Sequence, residues 1–242
     1  MSESSLSHSS PQQYSPSALA NRNDGFLACL PDGTVCAASH QVAGRGRGGN
    51  AWISRACSFN FPVVLRLPQA EAARIVFVQY LVGLAVVEAI TAQPGLDKLG
   101  IRLKWPNDVY ADFGDQAPGQ RYRKIGGILI NSSFRDGVFS LVAGALQLAC
   151  LSPFSQLSLT VKFLSGCGVN VSNPRPTTSV NELLHGLRRA GVCERQQPFR
   201  CEEVLALIMN RLNEMWPKFR QHGFAPFIDD YLKHWIHQCV PF

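Results

Sequence analysis

Short apolar runs with β-branched residues alternate along this chain with longer, helix-like segments. Runs at residues 34–40, 61–67 and 101–105 predict strands, the first of them entered through a Pro31-Asp32-Gly33 turn. Residues 70–92 are apolar on nearly every side, which predicts a helix that other elements cover on several faces.

The middle of the chain predicts a hairpin. Strands over residues 126–131 and 138–143 would meet at the turn formed by residues 135–137, after a polar Gly/Pro loop over residues 112–124. A further strand is expected at residues 168–171.

Helical patterns dominate the last third. Ser179 is expected to cap a helix over residues 180–190 that Gly191 ends. Residues 201–222 predict an amphipathic helix interrupted near Pro217, and residues 225–239 predict a final helix. Strands in runs, with helices between and after them, indicate an α/β or α+β fold around one sheet.

The composition is that of a folded protein. Of 242 residues, 46% are hydrophobic and 17% are charged, which favours a packed core over disorder. The net charge of +6 suits an anionic ligand, whether nucleotide, phosphate or nucleic acid. Residues 1–14, rich in Ser and without a secretory pattern, are expected to be disordered. None of the eight cysteines forms a C-x-x-C pair, so reduced thiols in a cytoplasmic protein are expected.

A glycine- and arginine-rich loop lies between two strand-like runs. The glycines of Gly44-Arg45-Gly46-Arg47 let backbone N–H groups approach an anion, and the arginines can hold a phosphate or carboxylate in bidentate fashion. Trp52 follows as a flat apolar wall. These residues alone are equally typical of a basic nucleic-acid-binding module.

A second motif, Lys104-Trp105-Pro106-Asn107-Asp108, ends a predicted strand. Pro106 stops the strand ladder and presents the two residues after it, where a carboxylate can bind Mg²⁺ or a ribose hydroxyl. A plain turn after a strand would have the same sequence.

Two glycine motifs complete the set. Lys124 precedes Gly126 and Gly127 at a strand start, where bare backbone leaves room for a ligand. Gly166 and Gly168 alternate on a later strand in the same way. The lysine could instead only protect a sheet edge.

In this order, the four motifs resemble those of the biotin–protein ligases (holocarboxylase synthetases), most closely the eukaryotic, fungal-like form. The motifs are Q-x-x-G-R-G-R-x-x-N-x-W from Gln41, K-W-P-N-D from Lys104, K-I-G-G-x-L from Lys124 and G-x-G-x-N from Gly166. The resemblance implies an α/β (α+β) fold with a central mixed, largely antiparallel sheet and packed helices, related to class II aminoacyl-tRNA synthetases and lipoate ligases.

The resemblance also implies a two-step reaction. Biotin and ATP, with Mg²⁺, form biotinyl-5′-AMP, and the biotinyl group then passes to a lysine of a carboxylase's biotin-carrier domain. Biotin and these carrier domains are the expected partners, and neither nucleic acid nor a membrane is expected.

Site residues follow from the same resemblance. Lys124 and Arg47 are the expected catalytic residues, because bringing a carboxylate to a phosphate requires cations. The expected biotin-binding residues are Ser15, Gln41, Gly44, Arg45, Arg47, Lys124, Gly126 and Gly127. The expected ATP-binding residues are Asn50, Trp52, Lys104, Asn107, Asp108, Gly168 and Asn170, with Asp108 also expected to bind Mg²⁺.

The chain departs from the family pattern in four places. Pro16 and Ala18 replace hydroxyl residues in the motif expected near Ser15, and residues 54–57 lack a Ser-Pro-x-Gly turn. Residues 144–165 form an unusual, rather apolar insertion, interrupted by proline, lysine and serines, within the expected catalytic domain of residues 15–242. The family's C-terminal β-rich domain is expected to be absent.

We interpret the insertion as a translated intron or another gene-model error. Sequencing the spliced transcript tests this, and a message that retains these codons contradicts it. The departures keep three alternatives open: an inactive biotin-binding remnant, a lipoate ligase-like enzyme and a basic nucleic-acid-binding module.

Overall fold

The structure, a computed structural model, describes residues 30–35, 44–45, 51–52, 58–114, 121–143, 147–149, 160–162, 167–172 and 178–239. In the described residues the strands are β1 (Gly44–Arg45), β2 (Ala51–Trp52), β3 (Ser58–Phe61), β4 (Val63–Pro68), β5 (Ile101–Lys104), β6 (Asp108–Asp112), β7 (Tyr122–Ile128), β8 (Ile130–Arg135), β9 (Val138–Ala143), β10 (Gln147–Ala149), β11 (Thr160–Lys162) and β12 (Cys167–Asn170). The α-helices are α1 (Ile75–Thr91), α2 (Val180–Arg189), α3 (Cys201–His222) and α4 (Ile228–His234).

A five-stranded sheet in the order β3-β12-β7-β6-β5 forms the centre of the described fold. A three-stranded sheet in the order β4-β9-β8 accompanies it, and β1 pairs with β2 as β10 does with β11. Neighbouring strands run antiparallel in every one of these pairs. The largely antiparallel sheet that the resemblance implies is therefore present.

Helix α1 is the centre of the core. It follows a 3-10 turn, Gln69–Arg74, and packs against β5, β6 and β7 and against α3. Ten of its residues are buried, because its apolar positions surround the whole helix. The span Gln69–Thr91 is long and apolar enough to cross a membrane, but 56% of its most apolar window is buried inside the protein, as in a core helix.

Two strand predictions are wrong in their boundaries. The polar loop predicted over residues 112–124 is shorter, because β7 already begins at Tyr122 and pairs Tyr122 with Asp112. The strand predicted over residues 126–131 divides at residue 129 between the two sheets, so the hairpin consists of β8 and β9 alone. Asp136 and Gly137 at its turn have φ of 51° and 76°, as a type I′ turn requires.

The helix predictions need two corrections. Ser179 caps α2 as predicted, its side chain accepting from the Glu182 N–H at 3.3 Å. Pro217 does not interrupt α3, which holds its course because Met215 and Phe219 on either side are buried in the core. The last helix stops at His234, where Trp235 turns extended and bridges to Leu103 of the edge strand β5.

A partly buried ion pair joins the 3-10 turn to α3. Glu71 accepts hydrogen bonds from the Arg220 guanidinium at 2.7–3.1 Å, and these hydrogen bonds hold the pKa of Glu71 below its ordinary value of 4.5. A carboxyl whose pKa is lower in the folded state than in the unfolded state stabilises the fold at pH values above its unfolded-state pKa. This stabilisation is lost as the pH falls through its folded-state pKa.

We therefore expect Glu71→Gln to lower the melting temperature at pH 7 and to lower it progressively less below pH 4.5. Thermal unfolding followed by circular dichroism between pH 7 and pH 3 measures the difference from wild type. A difference independent of pH would contradict a role for the Glu71 charge.

The insertion contributes one small element to the described residues. Gln147–Ala149 pairs with Thr160–Lys162, and within the part of the chain that the structure describes this pair joins no other sheet. The remaining insertion residues lie outside the described ranges, as do residues 1–14 and 54–57.

Cys167 and Cys193 are buried free thiols. Burial raises the pKa of Cys167 to about 12, so this side chain stays protonated and packs as a small apolar residue.

Candidate functional site

One face of the five-stranded sheet carries polar residues and glycines where the other face carries the core. We call it the open face. In register across the sheet, Asp108 of β6 pairs with Gly127 of β7, Gly127 with Gly168 of β12, and Gly168 with Asn60 of β3. Directly paired residues share a face, so two neighbouring strands present only backbone beside the Asp108 carboxylate.

The opposite face, against α1, is apolar in the next row. Val109, Gly126 and Val169 are in register there, and both valines are buried. A Cβ added at Gly126 would lie 2.7 Å from the Gly168 carbonyl oxygen, so the close approach of β7 and β12 requires a glycine. The adjacent glycines thus have different roles. Gly126 allows β7 and β12 to approach closely, and Gly127 leaves the open face without a side chain at that position.

A β-bulge places Lys124 on the open face. The register of β6 and β7 shifts between Val109, which pairs with Gly126, and Tyr110, which pairs with Lys124. Ile125 is the extra residue, and its side chain is fully buried. If Ile125 were instead paired in regular alternation, Lys124 would turn to the opposite face from Asp108.

Lys124 and Asp108 form the charged centre of the open face. The Lys124 Nζ lies 2.6 Å from Asp108 Oδ1, and the side chains are 40% and 23% exposed, so both remain within reach of a ligand. A Cβ on Gly127 would lie only 3.5 Å from Asp108 Oδ1 and 3.6 Å from Lys124 Nζ. The space above Gly127 is therefore where a ligand would meet both charges.

Lys104 adds a second cation on this face. It pairs in register with Asp108, and its Nζ lies 5.3 Å from the centre of the Tyr110 ring. Tyr110 in turn pairs with Lys124, so two lysines flank one carboxylate. The excess positive charge suits a ligand with more than one negative charge.

The turn at residues 105–108 links β5 to β6 and carries part of the second motif. Its Trp105–Pro106 peptide bond is cis. The Asn107 carbonyl accepts from the Ile128 N–H at 2.7 Å, which ties the turn to β7. Asn107 itself is half-buried beside Asp108 at the edge of a small cavity that also reaches Tyr231.

Asn170 is buried and makes a structural hydrogen bond at the end of β12. Its side chain is 6% exposed, and its Nδ2 donates to the Thr178 carbonyl at 3.2 Å. This bond ties the end of β12 to the segment before α2. Its predicted contact with ATP stays a prediction.

The structure describes the remaining predicted site residues only at the two ends of the Gly/Arg loop. Gly44 pairs with Trp52, and Arg45 with Ala51, so the two ends of the Gly/Arg loop lie side by side as a β-ladder. Four predicted residues lie outside the described ranges: Ser15, Gln41, Arg47 and Asn50.

The fit to Mg²⁺ rests on a single carboxylate. Within the described ranges no group of three His, Cys, Asp or Glu side chains could hold a metal ion. Asp108 alone suits the mode in which Mg²⁺ takes one protein carboxylate, several waters and the phosphates of its substrate.

The sequence is similar to a known protein family. A model of the biotin/lipoate A/B protein ligase family matches residues 8–146, more than half of the chain. The chain belongs to this family. The first three motifs lie inside the matched range, and the match ends within the first residues of the insertion.

Curated relatives extend the similarity over most of this family member. It is 30% identical over 233 residues to the biotin–protein ligase of Schizosaccharomyces pombe, covering 94% of this chain and 33% of that protein. Its identity to the Homo sapiens biotin–protein ligase is 29% over 218 residues, covering 88% and 26%. The chain thus spans about a third or less of these two relatives. These are biotin ligases, so the lipoate and nucleic-acid alternatives are not favoured.

Solved structures confirm the fold class. A biotin protein ligase from Aquifex aeolicus in complex with biotin and ATP matches with a TM-score of 0.58 at 21% identity, covering 89% of this chain and 74% of that one. The Leishmania major enzyme in complex with biotinyl-5-AMP matches with a TM-score of 0.59 at 18% identity, covering 93% and 79%.

Two residues beside the site were absent from the sequence prediction. Tyr110 lies between the two lysines, and its place two residues after Asp108 on an alternating strand was a usable signal. Gln79 donates to the Pro106 carbonyl from α1. No local pattern connects a helix position to a turn so much later in the chain.

Proposed function

We propose that this family member is the catalytic part of a biotin–protein ligase, which forms biotinyl-5′-AMP from biotin and ATP and transfers biotin to a lysine of a carboxylase's biotin-carrier domain. The observation that carries the proposal is the Lys124–Asp108 pair, 2.6 Å apart, beside the glycine backbone of Gly127 and Gly168. The relatives' names, and the biotin, ATP and biotinyl-5-AMP of the solved structures, agree with it.

In the first step, a carboxylate oxygen of biotin attacks the α-phosphorus of ATP, and the bond from that phosphorus to pyrophosphate breaks. Two anionic groups must meet, so a cation between them lowers the barrier. Lys124 is the cation assigned to this place, because its Nζ is held at Asp108 and stands over the bare Gly127 backbone. Lys104, on the same face, is assigned to the phosphates of the nucleotide.

In the second step, the neutral amine of the acceptor lysine attacks the acyl carbon of biotinyl-5′-AMP. The acyl–oxygen bond breaks, AMP leaves, and the amine loses its proton to solvent. We assign to Arg45 and Arg47 the closure of the Gly/Arg loop over the adenylate, which would keep water from the mixed anhydride. The pairing of Gly44 with Trp52 supports a loop with fixed ends.

Mg²⁺ and the cellular location complete the proposal. Asp108, with the nucleotide phosphates, would hold the ion, which would supply positive charge to the departing pyrophosphate. We propose the cytoplasm as the location.

Two assays on the purified chain test the proposed function. Biotin-dependent exchange of labelled pyrophosphate into ATP measures adenylate formation, and labelled biotin on a purified carrier domain measures transfer. We expect both activities. Exchange without transfer would restrict the chain to the first step. Neither activity, but a thermal shift from biotin, would leave the inactive biotin-binding remnant, and neither activity nor a shift would contradict the proposal.

A further inference from the structure

Helix α1 reaches the turn at residues 105–108 through its side chains. Gln79 Nε2 donates to the Pro106 carbonyl at 3.0 Å. One helix position later, Tyr80 Oη accepts from Trp105 Nε1 at 3.0 Å. Ten residues of α1 are buried, so both bonds tie the turn to the central helix of the core.

The carbonyls of Pro106 and Asn107 are held from different elements. The first accepts from Gln79 on α1, and the second accepts from the Ile128 N–H of β7. Two successive peptide planes are thereby fixed, immediately before Asp108. The direction in which Asp108 leaves the turn determines whether its Oδ1 meets Lys124.

We propose that Gln79 is a positioning residue for adenylate formation. By donating to the Pro106 carbonyl, it fixes the turn so that Asp108 holds Lys124 Nζ in place over Gly127. The proposal rests on the proposed function above. It differs from a purely structural role because the loss of Gln79 would act on the nucleotide side of the site, through Lys104 and Asp108, rather than on the fold as a whole.

The variant Gln79→Met tests this, because methionine keeps the length and helix propensity of glutamine but cannot donate. Gln93→Met is a matched control: Gln93 Nε2 donates to the Ala89 carbonyl at 3.1 Å, just past the far end of the same helix. Each variant loses one hydrogen bond from a glutamine side chain to a backbone carbonyl.

We expect Gln79→Met to reduce kcat for pyrophosphate exchange roughly ten-fold and to raise KM for ATP several-fold, as a misplaced charge pair would. KM for biotin should rise less than KM for ATP, since Lys124 is the one expected biotin contact that the turn positions, whereas Lys104 and Asp108 are both expected ATP contacts. Gln93→Met should have wild-type kinetics, with a melting temperature close to that of Gln79→Met.

Equal kinetics in the two variants, or a matching rise in KM for biotin, would overturn the proposal. A wild-type chain that forms no adenylate overturns the proposed function instead. The positioning role is then decided by a crystal structure of Gln79→Met: a displaced turn with a lengthened Lys124–Asp108 contact supports it, and an unchanged 2.6 Å contact overturns it.

Discussion

Lys124→Ala should lower biotin-dependent pyrophosphate exchange by roughly 100-fold or more, the usual cost of removing a group aimed at charge that develops in the transition state. The ammonium lies 2.6 Å from Asp108 and above bare backbone, so no neighbouring side chain on β7 or β12 can take its place there. The fold should survive, because Lys124 is 40% exposed and surface ion pairs contribute little to stability.

Lys233→Ala is the matched control. Lys233 forms an ion pair of similar length, 2.7 Å to Asp230, on α4 and away from the open face. It should retain wild-type exchange, and both variants should melt within a few degrees of wild type. Exchange by Lys124→Ala within about three-fold of wild type, far less than the usual cost, would refute the role assigned to Lys124.

Substituting the two adjacent glycines should separate folding from catalysis. Gly126→Ala places a Cβ 2.7 Å from the Gly168 carbonyl oxygen, and overpacking of this kind costs roughly 1–3 kcal/mol of unfolding free energy. Gly127→Ala meets nothing closer than 3.5 Å and should unfold at the wild-type temperature or slightly above. Its methyl group occupies the space beside Lys124, so KM for biotin should rise while stability does not fall.

Urea unfolding of the two variants, with exchange kinetics on the same samples, makes the comparison. The two substitutions have the same chemistry at neighbouring positions, so composition and helix or strand propensity cannot account for a difference. Equal losses of stability would contradict the division of roles between the faces. Unchanged KM for biotin in Gly127→Ala would place the ligand elsewhere.

Much of the site could be predicted from the sequence, because its residues are close in sequence to recognisable strand ends. Lys104, Asp108 and Lys124 carry motif chemistry, and the structure places all three on one face. The sequence could not show that Lys124 shares a face with Gly127, because alternation over three residues would place them on opposite faces. The shared face follows from a bulge opposite β6, which depends on pairing between distant segments.

The fold predictions failed where tertiary packing overrides local signals. Pro217 is an ordinary helix breaker, yet buried neighbours on both sides hold α3 together. The sequence over residues 112–124 predicts a loop because the strand ends that it contains, Asp112 of β6 and residues 122–124 of β7, are not buried. The helix predicted over residues 225–239 ends before Trp235, which forms a β-bridge with Leu103. Helical periodicity cannot indicate this partner.

The extra residue Ile125 lets one strand obey two alternation phases. On one side of Ile125, Gly127 lies on the open face. On the other side Lys124 does, while Ile125 and Gly126 both lie on the buried face. Spacing in this stretch is therefore as constrained as residue identity. One residue added between Lys124 and Gly126 would send the ammonium toward α1, so relatives that keep this lysine should tolerate substitution at position 125 far better than an insertion there.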